Sequence, residues 1–128
     1  MKILDSTFLI DILRNKSDNA RRILQSESAL LTTQINMYEV LSGIFISNSS
    51  SENLKAQELF ENIRVLPLDD TAIIEAAKIR AQLMKSGEMI EDTDCLIAGC
   101  ALSKGVDTII TKNTKHFKRI KGLKVESY

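Results

Sequence analysis

An apolar stretch, CLIAGCAL, runs from Cys95 to Leu102 without a charged or strongly polar side chain. Asp92 and Asp94 precede it, and Gly105 follows shortly after it. An acidic start and a glycine end are typical of the two termini of a helix. Because a helix that is apolar all round lies inside the fold, the pattern predicts a buried helix that carries Asp94 towards the interior. A buried carboxylate is costly without a compensating cation or hydrogen bond, so we expect such a partner at Asp94.

Elsewhere, short apolar runs alternate with amphipathic segments. The predicted strands cover residues 2–4, 28–32, 64–68, 107–111 and 123–125, the last one at an edge of the sheet. The predicted helices cover residues 8–15, 19–26, 33–47, 52–62, 71–85, 95–104 and 115–120. Strands that alternate with helices indicate an α/β fold with a mostly parallel sheet of four to five short strands. In the helix over 33–47, helical spacing predicts one inward face: Ile35, Tyr38, Leu41, Ile44 and Phe45.

Length and charge limit the possible classes of protein. The chain has 128 residues, 44% of them hydrophobic, which suits a single domain over 1–128 with a real core. The net charge is zero, so the overall charge indicates no partner. However, residues 104–124 contain seven basic residues and only one acidic residue, Asp107. Such a segment could bind a polyanion, and a solvated lysine face would explain the same pattern at least as well.

Cys95 and Cys100 match neither a zinc site nor a disulfide framework, so we expect buried reduced thiols and a cytosolic, cytoplasmic location. The first residues do not resemble a signal peptide. No apolar run approaches the roughly 20 residues that span a bilayer, so we expect no membrane partner.

Several kinds of active site do not fit the sequence. The five glycines form neither a P-loop nor a dinucleotide-binding fingerprint. His116 is the only histidine, and we expect a surface or phosphate-contacting role for it rather than a role as catalytic base. No serine lies in a nucleophile-elbow context.

Carboxylates are the remaining candidates. Asp5 follows the first strand, Glu39 lies on a helix, and Asn113 follows the fourth strand. Asp5 could equally be a simple helix cap, and a lone Glu39 is by default exposed. Because the ends of parallel strands open onto one edge of a sheet, these groups could meet Asp94 there. Oxygen ligands without His or Cys favour Mg²⁺ or Mn²⁺, which can activate water for displacement at phosphorus.

Four segments in order then carry a family resemblance: KILDSTFLID, QINMYEVLSG, MIEDTDCLIAGCAL and TIITKNTKHFKRIKGLKV. With them, the chain resembles the PIN-domain family, most closely its VapC-type toxin ribonucleases. Each motif alone is weak, but four in order at suitable spacing form a specific signal. The resemblance implies a three-layer α/β/α fold with the parallel sheet between helices.

The resemblance also implies roles for individual residues. Asp5 and Asp94 match metal-binding acidic positions, and Glu39 matches the glutamate of the second motif. Asn113 falls near a fourth position that family members fill with Asp or Asn. Asp92 lies outside the core pattern, where it would cap the helix or act as an outer ligand. Thr7 stands where Asn is commoner in the family.

The implied function is a Mg²⁺- or Mn²⁺-dependent endoribonuclease, the toxin of a type II toxin–antitoxin pair. Asp5, Glu39 and Asp94 would be catalytic and would bind the metal, with Asp92 and Asn113 as further possible ligands. The residues expected to contact the RNA are Ser6, Thr111, Lys112, Asn113 and Lys115. The implied partners are a cognate VapB-like antitoxin and a second copy of the chain in a homodimer. The alternatives are a PIN-type nuclease of RNA processing and a non-catalytic binding or scaffold protein.

Overall fold

A computed structural model describes residues 1–128 and contains five strands and seven helices. The strands are β1 Lys2–Leu4, β2 Leu30–Thr33, β3 Arg64–Leu66, β4 Thr108–Ile110 and β5 Lys124–Glu126. The helices are α1 Ser6–Leu13, α2 Asp18–Ser26, α3 Gln34–Ser47, α4 Ser50–Asn62, α5 Asp70–Lys85, α6 Asp92–Ser103 and α7 Thr114–Phe117. None of these helices combines the length and the apolar character needed to cross a bilayer.

The strands form one sheet in the order β3-β2-β1-β4-β5, and every neighbouring pair is parallel. This confirms the predicted parallel sheet and the position of β5 at an edge. Strands β2 and β3 lie on one side of β1, and strands β4 and β5 lie on the other side. The strand order therefore reverses between β1 and β4. In open α/β sheets, the crevice outside the carboxyl ends of the strands at such a reversal is the usual ligand site.

Helices cover both faces of the sheet, which confirms the three-layer α/β/α architecture. Successive strand residues point to opposite faces, so Ile3 joins a core formed with α5, α6 and α7, whereas Leu4 joins a core formed mainly with α1 to α4. Ile109 and Ile110 divide between the two cores in the same way. Strands covered on both faces are apolar throughout, as the sequence pattern indicated.

The buried helix is confirmed as α6. Its buried residues are Asp94, Cys95, Ile97, Ala98, Gly99, Cys100 and Ala101. Beyond its end, Gly105 has a φ of 75°, a left-handed conformation that glycine adopts without a steric penalty. The two cysteines are free and buried, as predicted, and burial raises the pKa of the Cys100 thiol to about 11.

The predicted inward face of α3 is wrong in part. Tyr38 and Phe45 are each 67% exposed. The buried stripe instead follows Asn36, Val40 and Ile44 at a spacing of four residues. A polar Asn interrupts the apolar pattern of this stripe, so hydrophobicity alone selected a neighbouring face of the helix.

Helix starts differ from the sequence prediction by two residues in α1 and α4. The α1 helix begins at Ser6 rather than at residue 8, and Asp5 occupies the position before it. The α4 helix begins at Ser50, capped by the Ser49 hydroxyl, which accepts from the Glu52 backbone N–H. Serine-rich starts offer several possible caps, and only the packed structure selects one of them.

Candidate active site

Polar side chains from four elements meet where β1 and β4 end. Asp5 directly follows β1, and Thr111 directly follows β4. Asn36 lies in the first turn of α3, which follows β2, and Asp94 lies in the first turn of α6. The parallel register of β1 with β2 and β4 brings these positions to one edge of the sheet. The predicted convergence of residues from the strand ends is therefore present.

Asp5 is the most enclosed carboxylate of this edge, at 5% exposure. Its Oδ2 accepts from the Thr111 hydroxyl over 2.6 Å, and its Oδ1 accepts from Asn36 Nδ2 over 3.0 Å. It occupies the N-cap position of α1, but its side chain makes no capping hydrogen bond. The simple helix-cap interpretation is therefore wrong. Burial raises the pKa of Asp5, and hydrogen bonds such as that from Thr111 offset this only in part.

Asn36 links Asp5 to Glu39. Its Nδ2 also lies 3.0 Å from the Ser6 hydroxyl, which in turn donates to Glu39 Oε1 over 2.7 Å. The Thr33 hydroxyl holds the amide by donating to Asn36 Oδ1 over 2.7 Å. Glu39 is thus half-buried and bonded rather than freely exposed. Sequence reasoning missed Asn36, although its spacing of three residues from Glu39 on one helix was the available signal.

Asp94 meets the only histidine of the chain. His116 Nδ1 lies 3.0 Å from Asp94 Oδ2, and Asn113 Nδ2 donates to the same oxygen over 3.4 Å. Asn113 Nδ2 is also 3.0 Å from His116 Nδ1. Asn113 therefore lies at the site, as predicted, and His116, for which we expected a surface or phosphate-contacting role, lies there too, with its half-buried ring against Asp94. The short α7 helix brings it back to the sheet edge, a result that its position in a basic segment did not indicate.

The three carboxylates, Asp5, Glu39 and Asp94, lack a positively charged lysine or arginine partner. No lysine or arginine forms an ion pair with Asp5, Glu39 or Asp94. Burial raises the pKa of Glu39 and Asp94, and the charge of Asp5 raises both further. Clustered carboxylates behave in this way when no cation neutralises them. The site therefore has the charge and the oxygen donors that suit a hard cation.

The site nevertheless offers a metal ion only a few direct protein ligands. No group of three or more His, Cys, Asp or Glu side chains stands close enough to hold one ion. Mg²⁺ keeps several of its water molecules and commonly binds through one or two carboxylates. Asp5 and Asp94 with water meet that requirement, whereas a closed set of three protein carboxylates is not present.

Two predicted site residues lie outside this cluster. Asp92 is bound to Arg80, with Nε 3.0 Å from Oδ1, and its side chain is 71% exposed. It does not cap α6, whose N-cap is Glu91, and its ion pair is with Arg80 rather than with a group of the site. Lys112 places Nζ 2.6 Å from Asp11 Oδ2 rather than leaving it free for a phosphate.

The other predicted RNA contacts lie at or beside the site. Ser6 and Thr111 are bonded to Glu39 and Asp5, as described above. Lys115 is exposed, forms no ion pair and lies on α7 next to His116. Its exposed ammonium group therefore neutralises none of the three carboxylates.

Residues 2–123 match the sequence profile of the family described as PIN domain. The chain belongs to the PIN-domain family. A tRNA(fMet)-specific endonuclease VapC from Salmonella typhimurium is 31% identical over 128 residues, 98% of this chain and 96% of the relative. Ribonuclease VapC1 from Methanocaldococcus jannaschii is 33% identical over 125 residues, 96% of this chain and 85% of the relative.

Solved structures agree with this assignment. A chain of the DNA-bound VapBC structure from Salmonella typhimurium superposes on this PIN domain with a TM-score of 0.85 at 28% identity. The superposition covers 98% of this chain and 96% of that chain. The predicted family and fold are thus confirmed by sequence and by structure.

Proposed function

We propose that this PIN domain is a divalent-metal-dependent endoribonuclease and the toxin of a VapBC-type toxin–antitoxin pair. The observation that carries the proposal is the group of Asp5, Glu39 and Asp94 at the strand reversal, with raised pKa values and no paired lysine or arginine. Relatives of nearly the same length are named as VapC ribonucleases, which supports the choice of RNA as substrate.

Asp5 and Asp94 would hold Mg²⁺ or Mn²⁺ together with water. Such an ion supplies activation of water and stabilisation of charge at the phosphorus. Thr111 and Asn36 fix the two oxygens of Asp5, while His116 and Asn113 fix Asp94. Glu39, held by Ser6, would orient the attacking water.

The substrate-contacting groups we propose surround these carboxylates. Asn113 and Lys115 would contact the RNA backbone, whereas the hydroxyls of Ser6, 8% exposed, and Thr111, fully buried, instead hold Glu39 and Asp5. Lysine beside a phosphate supplies affinity that is independent of sequence and sensitive to salt. We leave Lys112 out of this set because its ammonium group is already bound to Asp11.

The proposed protein partners are a VapB-like antitoxin and a second copy of this chain. The solved structures that superpose on the chain include VapBC complexes from Salmonella typhimurium and Haemophilus influenzae. Exposed apolar side chains on α3 and α4 could serve such contacts, including Tyr38, Phe45, Ile46 and Leu54.

A matched pair of substitutions tests the nuclease. Asp94→Asn should reduce metal-dependent cleavage of RNA by at least about a hundredfold, because it removes a charge that holds the ion. Asp92→Asn, two residues away on the same helix turn, should leave cleavage unchanged, because Asp92 faces Arg80. Total RNA and purified initiator tRNA are incubated with each protein in Mg²⁺ and in chelator, and the cut ends are mapped. Equal activity of the two variants would remove Asp94 from the mechanism.

Metal binding separates the nuclease from the non-catalytic alternative. Calorimetric titration with Mg²⁺ and Mn²⁺ should give heat with the wild type and much less with Asp5→Asn. If neither protein binds metal, a binding or scaffold protein becomes the better interpretation of the fold.

A further inference from the structure

Tyr128, two residues after the end of β5, contacts both α1 and the loop that follows β4. The Tyr128 ring packs edge-on against Phe8, with ring centres 4.9 Å apart and an interplanar angle of 69°. Its hydroxyl donates to Asp11 Oδ2 over 2.9 Å. Phe8 and Asp11 both belong to α1, so Tyr128 is anchored on the helix that begins directly after Asp5.

Lys112 completes this cluster. Its Nζ lies 2.6 Å from Asp11 Oδ2 and 5.3 Å from the centre of the Tyr128 ring. Burial raises the pKa of Asp11, but the hydrogen bonds from Lys112 and Tyr128 outweigh this and bring it below its ordinary value. One carboxylate oxygen thus binds both a phenol and an ammonium group, and the ammonium group also faces an aromatic ring.

Lys112 is the middle residue of a loop, 111–113, whose other two residues hold the carboxylates. The Thr111 hydroxyl donates to Asp5 over 2.6 Å, and Asn113 Nδ2 donates to Asp94 over 3.4 Å. Each of the three backbone N–H groups of the loop also donates a hydrogen bond. The three N–H groups donate to Glu126 O, Thr7 Oγ1 and Thr111 Oγ1, in chain order. Fixing the Lys112 side chain therefore restricts the backbone that carries Thr111 and Asn113, and so their hydrogen bonds to Asp5 and Asp94.

We propose that Tyr128 and Asp11 are positioning residues: by binding Lys112, they hold the loop 111–113 so that Thr111 and Asn113 keep Asp5 and Asp94 in place. The effect on cleavage rests on the proposed nuclease function, whereas the effect on the loop does not. Rates are sensitive to such placement, because a shift of about 1 Å at a reacting group can reduce a rate about a hundredfold.

Kinetics test the positioning role. Asp11→Asn keeps the shape of the side chain and removes its charge, and Tyr128→Phe keeps the ring and removes the hydroxyl. Each should lower kcat for Mg²⁺-dependent cleavage of bulk tRNA about tenfold and leave KM within about twofold. The control is Glu52→Gln, which removes the charge from an ion pair with Arg14 at the other end of α1, 3.1 Å in length. It should leave kcat and KM unchanged.

Amide hydrogen exchange in the metal-free protein tests the loop independently of activity. Asp11→Asn and Tyr128→Phe should speed exchange at Thr111, Lys112 and Asn113 by about tenfold relative to Glu52→Gln. Wild-type protein that cleaves no RNA would contradict the nuclease but leave this comparison intact. Exchange at 111–113 that matches the control in both variants would overturn the positioning role.

Lys112→Gln distinguishes positioning from direct RNA binding. Under the proposal, it lowers kcat as Asp11→Asn does, and the double variant loses no more than either single one. If Lys112 instead contacts phosphate, Lys112→Gln raises KM and flattens its salt dependence while kcat stays unchanged. That second pattern would overturn the proposal.

Discussion

At the scale of single residues, the chain contains carboxylates whose charges the protein compensates to different degrees, inside and outside the site. Asp69 and Asp11 are each paired with a lysine, and the lysine hydrogen bond lowers the pKa of Asp69 to about 2. Asp5, Glu39 and Asp94 receive only neutral or imidazole partners, and their pKa values are raised. The pKa values of the two sets of carboxylates are therefore shifted in opposite directions. Only the second set lacks a neutralising lysine, so only that set would gain from a bound cation.

The raised pKa of Asp5 predicts a pH-dependent effect on stability. A carboxyl group whose pKa is higher in the folded than in the unfolded state contributes stability below the unfolded pKa, and this is lost as the pH rises through the folded pKa. Asp5→Asn cannot ionise, so in chelator its melting temperature should gain on that of the wild type as the pH rises above the ordinary aspartate pKa of about 3.9, until the pH passes the raised pKa of the folded state. Thermal melting at several pH values measures this. A difference that is constant with pH would contradict it.

At the scale of elements, the packing of α6 on α5 determines where Asp94 lies. Gly99 faces Ala72 and Ala76, and a Cβ at this position would stand 2.6 Å from the Ala72 carbonyl oxygen. The small side chains let the two helices approach closely. The start of α6 is thereby fixed against the sheet edge, where Asp94 meets His116.

Two glycine substitutions test this close approach. Gly99→Ala should lower the free energy of unfolding by about 1–3 kcal/mol, because the new methyl group meets backbone atoms that cannot move aside. Gly43→Ala, in the middle of α3 with nothing within 4 Å of the added Cβ, should raise it by about 0.5–1 kcal/mol through helix propensity. Urea denaturation of both variants measures the change. Equal effects of the two substitutions would contradict the packing argument.

At the scale of the whole molecule, the basic segment 104–124 divides into paired and free cations. Lys104, Lys112 and Lys124 form ion pairs with Asp69, Asp11 and Asp107. Lys115, Lys118 and Lys121, on α7 and in the turn after it, are exposed and form none. Lys115 and Lys118 belong to the segment that contains His116 of the candidate site, whereas Lys124 begins β5 at the opposite edge of the sheet.

The salt dependence of RNA binding should follow this division. Lys115→Gln and Lys118→Gln should each reduce the slope of log K against log salt by about 0.7–0.9, because each removes about one phosphate contact. Lys124→Gln, which removes the same charge at the opposite edge, should leave the slope unchanged. Filter binding of tRNA to the Asp94→Asn protein, over a range of salt concentrations, measures all three. A similar change in slope for Lys124→Gln would indicate a diffuse charge effect rather than a located interface.

Local patterns in the sequence predicted most of the elements and two of the central residues, Asp5 and Asp94. The alternation of apolar runs and helical spacing predicted all five strands and the parallel sheet, and continuous apolarity predicted the burial of α6. Asp5 and Asp94 followed from chain order, because the ends of parallel strands share one edge. Glu39 entered as a candidate only through the carboxylates it would meet, and the family resemblance then supported it.

The sequence by itself thus determined the architecture, because hydrophobic periodicity and turn residues act over a few neighbouring positions. The tertiary structure decided which polar groups meet, because those contacts join residues far apart in the chain. Thr111 reaches Asp5 across 106 positions, and Tyr128 reaches Asp11 across 117. Such contacts brought His116 into the site, bound Lys112 to Asp11 and left Asp92 outside. No short-range pattern contains that information, since it depends on how the helices pack on the sheet.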